Sequence, residues 1–266
     1  MISRIRALLG KEFLDLRLNP SVFLPVGIVG IMSLVIPFMI AVVVPAVTGE
    51  RLSDSPDFEM AIEQQRVRQT PGLDPEGAVQ VWLFEGFLLF MLIVPVVVAT
   101  GISSHSVVGE KRARTLEPLL ATPLTTFELL AAKTLGAWLP SIGLALLCFG
   151  TYIGGIALVA EPGVVSALLS TRSFSVVLLL GPLASLAALQ ATVCVSSRAK
   201  DERSAQQWGS LIVLPIAGSL IAPFLGVEMT LAIVLTGVAV LFVVNVVLMR
   251  VAIKVFDRES ILTRWK

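Results

Sequence analysis

Residues 82–104 read WLFEGFLLFMLIVPVVVATGISS, and Glu85 is the only Asp, Glu, Lys or Arg among them. As an α-helix this stretch would be about 34 Å long, which is enough to cross the hydrocarbon layer of a bilayer, roughly 30 Å thick. Lipid offers the backbone no hydrogen-bond partner, so an apolar segment of this kind forms a helix rather than an open strand. The stretch therefore predicts a membrane-spanning helix.

Five other stretches have the same character, at about 22–47, 134–160, 174–196, 208–225 and 229–251. The composition agrees, because 56% of the residues are hydrophobic and 15% are charged, against roughly 25% charged in soluble domains. We therefore predict an all-α integral membrane protein, with an N-terminal segment 1–20 and a six-helix transmembrane domain over 21–266. The 208–225 stretch is short and contains Pro215 and Pro223, so it either spans the membrane or re-enters beside the next stretch.

The basic residues are distributed unevenly between the segments that join these spans. Sixteen Lys and Arg fall on the side that holds both termini, and the other side holds only Arg51, Arg66, Arg68 and Arg172. Cytoplasmic segments of membrane proteins are enriched in basic residues. The asymmetry predicts a multi-pass protein of the cell (inner) membrane with both termini in the cytoplasm, and an even number of spans agrees with it.

The first twenty residues combine apolar positions at helical spacing with basic residues on the other faces. This pattern is typical of an amphipathic helix that lies in the membrane interface, which we predict for 1–20. The alternative is a simple positively charged topology anchor.

Residues 48–80 form the largest predicted extracytoplasmic loop, with seven acidic residues and three arginines. Ser55-Pro56 and Pro71-Gly72 are helix start and stop signals, so we expect a short helix at about 56–69. We interpret the loop as a solvated segment whose charge satisfies the topology; the alternative is a loop that gathers cations.

The predicted cytoplasmic segment 107–133 reads VVGEKRARTLEPLLATPLTTFELLAAK. We expect a short helix at about 114–121 and, after a tight turn, a second helix that begins near Thr125, because Thr125 and Glu128 have the spacing of a capping box. The leucines of the first helix would leave an apolar face in water unless a partner covered it.

Motifs for catalysis are lacking in the sequence. A nucleotide-binding P-loop needs Gly-x-x-x-x-Gly-Lys-Ser/Thr, which does not occur, and the only histidine is His105. Cys148 and Cys194 both fall in apolar stretches, where cysteine usually acts as a packing residue. We therefore expect neither an ATPase nor a bound cofactor or metal in this chain.

Three polar residues within the predicted spans are candidates for a substrate path: Glu85, Gln190 and Asn245. Gln and Asn more often make hydrogen bonds between helices. Glu85 lies near the external interface, where it either reaches water or, if functional, accepts a cation or an amine. Five of the predicted spans each contain a proline well inside the apolar stretch. Helix bending or helix packing would account for such prolines. They are Pro37, Pro95, Pro140, Pro182 and Pro215.

The segment between the second and third predicted spans resembles the signature of ABC-2 type ABC transporter permeases. The matching residues are Glu110, Lys111, Arg112, Thr115, Leu116, Glu117, Leu119, Leu120, Thr122, Pro123, Glu128 and Lys133. The number of spans, the interfacial helix and the chain length also resemble that family. The three-residue link at 226–228 departs from branches that have re-entrant helices there.

The resemblance implies a coupling helix that docks on a separate ATP-binding subunit. Its residues would be Glu110, Lys111, Arg112, Arg114, Thr115, Leu116, Glu117, Leu119, Leu120, Thr122 and Pro123. It further implies two ATP-binding subunits that carry ATP and Mg, and a second permease subunit, identical or not. The substrate would be an exported amphipathic small molecule, lipid, peptide or cation, and no nucleic acid would be involved. The alternative is a non-transporting scaffold or sensor that recruits a partner through 107–133.

Overall fold

The structure is a computed structural model that describes residues 6, 8–11, 13–14, 23–67, 73–112, 125–196, 218, 225 and 229–255. These residues are helical or irregular, and no strand occurs among them. Five helices in the described ranges are long and apolar enough to cross a membrane: Gly27–Thr48, Pro75–Ser103, Phe127–Val159, Thr171–Val195 and Leu231–Lys254. The prediction of an all-helical membrane protein is thus confirmed in outline. The 208–225 stretch and most of 1–20 lie outside the described residues.

The helices are numbered here in chain order. The first half contains α1 (Phe23–Phe38), a π-helical segment (Met39–Val43), α2 (Val44–Thr48), two 3-10 turns (Leu52–Asp54 and Pro56–Phe58), α3 (Glu59–Val67), α4 (Pro75–Phe90) and α5 (Ile93–Arg112). The second half contains α6 (Thr126–Val159), α7 (Val164–Leu168), α8 (Thr171–Ser175), a second π-helical segment (Val176–Leu180), α9 (Gly181–Ser196) and α10 (Leu231–Val255).

Two ends of the bundle can be distinguished. We call the end that holds residues 49–67, 73–74 and 160–170 the Glu85 end. The end where α5 and α9 stop and α6 starts is the Arg112 end. The second span (α4–α5) and the fourth span (α8–α9) occupy the centre, with 72% and 61% of their most apolar window buried. The first, third and last spans are at most 22% buried, so their outer faces are available to lipid.

The starts of α4 and α6 have local chemical causes. The Asp74 carboxylate accepts a hydrogen bond from Gly77 N at 2.8 Å, and Pro75 occupies the first turn, where a missing N–H costs nothing. The helix therefore begins at Pro75, ahead of the predicted Trp82. The predicted capping box at α6 is present: Thr125 Oγ1 accepts from Glu128 N at 3.1 Å, and Glu128 Oε2 accepts from Thr125 N at 2.9 Å.

The apolar interior is divided between the two ends. The larger cluster lies at the Glu85 end and includes Phe84, Leu88, Leu92, Tyr152 and Val177. A second cluster lies at the Arg112 end and includes Val94, Ile102, Leu130, Leu189 and Val193. Smaller clusters contain Leu52 and Val79 at the Glu85 end, and Val96 and Ala188 between α5 and α9.

An aromatic nucleus fixes the first three spans to one another in the larger cluster. The rings of Phe38, Phe84 and Tyr152 have centroids 5.5 to 5.8 Å apart and are tilted or edge-on, the arrangement that aromatic quadrupoles favour. Tyr152 is fully buried, and its hydroxyl donates to Phe84 O at 3.0 Å. Gly155 makes room for Phe38, because a Cβ at that position would lie 2.7 Å from the Phe38 ring.

The intramembrane prolines have two different effects. Pro37 and Pro140 lie inside α1 and α6, and the first π-helical segment begins two residues after Pro37. Pro95 follows a break at Met91–Leu92, and Pro182 follows the second π-helical segment. A proline lacks the N–H that would bond to the carbonyl four residues earlier, and its ring displaces that carbonyl. Interrupted helical hydrogen bonding therefore precedes Pro95 and Pro182; Pro215 lies outside the described residues.

Candidate functional site

Glu85, the acidic residue that interrupts the second span, is ion-paired. Its Oε1 contacts Nη2 of Arg172, the second residue of α8. The side chains are 15% and 19% exposed respectively, so both charges are largely shielded. A shielded charge is costly unless it is paired, and the pair satisfies both groups. The arginine thus occupies the position that a cationic substrate of Glu85 would take.

Arg172 also connects these two helices to the last span. Its Nη1 donates to Met229 O at 3.2 Å, two residues before α10 begins. Ser170 caps α8 by accepting from Ser173 N at 3.2 Å, which fixes the turn that carries Arg172. One guanidinium therefore joins three elements at the Glu85 end. The sequence identified both charged residues but not the pairing, since they are far apart in the chain.

Two further polar side chains of α4, which sequence reasoning missed as functional positions, anchor the loops at this end. Glu76 Oε2 accepts from Ser53 N at 2.9 Å, and Gln80 Oε1 accepts from Glu161 N at 2.8 Å. Both side chains are buried and lie one helical turn apart. We expected the acidic residues of the 48–80 loop to be solvated, whereas Glu76 is buried in the packed structure. In the sequence, these anchoring positions are indicated by two polar residues that lie four apart at the start of a helix.

Asn245 makes the interhelical hydrogen bond that we expected of an intramembrane amide. Its Nδ2 donates to Leu183 O on α9 at 2.9 Å and to Leu241 O on its own helix at 2.8 Å. Gln190 on α9 is buried, and its Oε1 has no hydrogen-bond partner in the described part of the chain. Glu85 and Gln190 lie in opposite halves of the central spans, so the structure does not bring the three candidates together as one site.

The predicted docking segment is only partly described. Glu110, Lys111 and Arg112 form the last turn of α5, whereas Arg114, Thr115, Leu116, Glu117, Leu119, Leu120, Thr122 and Pro123 lie outside the described residues. The helices on either side are firmly placed, because Ile102 of α5 and Leu130 of α6 share the core of the Arg112 end. The described helices before and after the segment therefore pack against each other. Within the described ranges, no group of three or more His, Cys, Asp or Glu has the proximity that a metal ion needs.

Comparison with protein families gives one match. The family model described as ABC-2 family transporter protein matches residues 60–236, which include the second, third and fourth spans and the docking segment. The resemblance found in the sequence is therefore confirmed. Neither the curated proteins nor the solved structures give a match.

Proposed function

The chain belongs to the ABC-2 transporter family, and from this premise we propose that it is the permease subunit of an ATP-driven transporter. The observation that carries the proposal is the family match over about two thirds of the chain, 60–236. The ATP-binding subunit, which would hold ATP and Mg, is proposed as a separate chain, in keeping with the absence of a P-loop motif among these 266 residues.

The docking element of the proposed permease is residues 110–123. Leu116, Leu119 and Leu120 would enter an apolar groove of the ATP-binding subunit, and the flanking charges would form the polar rim typical of protein interfaces. The connection that this element makes in the fold supports the position. The element joins the end of α5 to the capped start of α6, so a force applied there acts directly on two spans.

In the proposed topology the Arg112 end faces the cytoplasm of the cell membrane, together with both termini. The uneven distribution of Lys and Arg supports this orientation. The direction of the helices supports a sixth crossing within 197–228. Ser196 ends α9 at the Arg112 end, whereas Met229 contacts Arg172 at the Glu85 end, so the chain has to pass from one end to the other.

The complete transporter would contain two ATP-binding subunits and a second permease subunit, and it would export its substrate. Amphipathic small molecules, lipids, peptides and cations are all substrate classes of such permeases. The apolar character of the spans favours an amphipathic molecule. Glu85 is poorly suited to a cation, because Arg172 already neutralises it.

The test is reconstitution in proteoliposomes with the ATP-binding subunit that copurifies with the chain. We expect the permease to stimulate ATP hydrolysis, and the charge reversals Arg112→Glu and Glu117→Arg to abolish the stimulation. Glu63→Arg is the matched control, since Glu63 is exposed at the Glu85 end, and it should leave the stimulation unchanged. If no ATP-binding subunit copurifies, or if both reversals are silent, the docking assignment is wrong and the scaffold alternative gains support.

A further inference from the structure

The second span is broken at Met91–Leu92. Met91 N donates to Leu88 O at 3.2 Å and Leu92 N to Leu89 O at 2.9 Å, so both amides bond three residues back rather than four. Pro95 lies four residues after Met91 and cannot continue the α-helical hydrogen-bond pattern. The break divides the second span into α4 and α5.

The fourth span is interrupted in a comparable way. Residues Val176–Leu180 are π-helical, and Gly181 N bonds to Val176 O five residues back. Pro182 follows directly, and the carbonyl that its ring displaces lies within the π-helical segment. Such interruptions are the usual cause of sharp bends in helices.

The two interruptions lie side by side. A Cβ on Gly181 would be 3.3 Å from Leu92 Cδ2, so the residue at the break of the second span contacts the residue at the end of the π-helical segment. On the second span the apolar clusters change at the same level, because Leu92 belongs to the Glu85-end core and Val94 to the core of the Arg112 end. On the fourth span, Ala184 and Ala188 form a separate small cluster with Val96.

The segments on each side of this level are joined to their neighbours. At the Glu85 end, the ion pair of Glu85 and Arg172 ties α4 to α8. On the other side, α5 and α9 pack along each other. By contrast, α6 crosses the same level as one continuous helix, although it contains Pro140.

We propose that the paired interruptions form a hinge inside the central spans. About this hinge, α4 and α8 swing as one body relative to α5 and α9. The hinge is a property of this fold and goes beyond the proposed function; only its link to the docking segment, through the end of α5 at Arg112, rests on that function. Each side of the hinge has its own apolar cluster.

The test uses spin-label distances in the full-length chain in nanodiscs, with Cys148 and Cys194 replaced by Ala. One label pair, at Thr171 and Phe127, reports movement of the Glu85 end against the Arg112 end. The reference pair, at Leu158 and Phe127, lies on α6 alone, about 46 Å apart along the continuous helix. The three labelled sites are exposed, and Leu139 is a further exposed site on α6 that could replace one of them. Dilution with unlabelled chain suppresses distances between chains.

We expect the Thr171–Phe127 distance distribution to be broader than the reference distribution. The variants Pro95→Ala and Pro182→Ala should narrow it towards the reference, and Pro140→Ala should not change it. A Thr171–Phe127 distribution as narrow as the reference would overturn the hinge, and this comparison needs no proline variant to fold. Equal narrowing by Pro140→Ala would also overturn it. Since no ATP-binding subunit is present, failure here leaves the proposed permease function intact.

Discussion

Glu85 on α4 and Arg172 on α8 form an ion pair that is mostly shielded from solvent, and Arg172 extends the connection to Met229 O. The pair closes the Glu85 end of the bundle by joining the second, fourth and last spans. Because the pair lies among apolar helices, removing one partner leaves the charge of the other uncompensated.

Glu85→Gln should therefore destabilise the protein. Breaking a fully buried pair costs about 3–5 kcal/mol; since both side chains keep some exposure, we expect about 1–3 kcal/mol. The measurement is thermal unfolding in nanodiscs, with the exposed Glu63→Gln as control. The double variant Glu85→Gln with Arg172→Gln should lose less than the sum of the single losses, and strict additivity would show that the two residues do not interact.

The pocket around Phe38 leads to a second prediction. Gly155→Ala should lower stability by about 1–3 kcal/mol, the usual cost of overpacking, because the added Cβ would lie 2.7 Å from the Phe38 ring. Gly154→Ala is the matched control, since nothing lies within 4 Å of a Cβ there. Unfolding midpoints of the two variants check the expectation, and Phe38→Leu should restore part of the loss in Gly155→Ala. Equal midpoints would contradict the packing.

A third prediction concerns the hydroxyl of Tyr152. Tyr152→Phe keeps the ring in the aromatic nucleus but removes the hydrogen bond to Phe84 O, so stability should fall by about 1 kcal/mol. Thr151→Val, at the neighbouring position, removes a hydroxyl that bonds within α6 on an exposed face and should have a smaller effect. Chemical denaturation in mixed micelles measures both. If the two variants lose the same stability, the hydrogen bond between the spans contributes no more to stability than the one within α6.

A fourth prediction concerns the start of α6. Thr125→Ala removes the capping side chain and should cost about 1 kcal/mol, the typical value for an N-cap. Thr125→Ser keeps the cap and should restore stability. Because the cap stands next to the proposed docking segment, Thr125→Ala should also weaken the stimulation of ATP hydrolysis, measured as above. Equal behaviour of the Ala and Ser variants would show that the cap has no such role.

The spans could be predicted from the sequence because the cost of exposing backbone groups to lipid acts on every residue of an apolar stretch. The capping box was equally local: Thr125 and Glu128 are three residues apart, and their spacing alone indicates the bonds observed. The family could be recognised because its signature is a single continuous segment, Glu110–Pro123 with Glu128 and Lys133 after it.

Contacts between distant segments could not be predicted in this way. Nothing near Glu85 indicates Arg172, because their proximity depends on how the second and fourth spans pack. The effect of each proline could not be predicted from the sequence either. Pro95 and Pro182 follow interrupted backbone, whereas Pro140 lies in a regular helix, and all three look alike in the sequence. Which of them bends its helix depends on the neighbouring helices.

The continuous third span has a geometric consequence for the region beside it. The 34 residues of α6 make a rod about 51 Å long, well beyond the roughly 30 Å of hydrocarbon that a membrane offers. A tilt of about 20°, average for such helices, shortens its projection only slightly. Glu128 and Lys133 stand in its first turns, so the surplus length emerges at the Arg112 end. The residues of α6 up to Lys133, about eight in number and roughly 12 Å long, therefore extend beyond the hydrocarbon at that end.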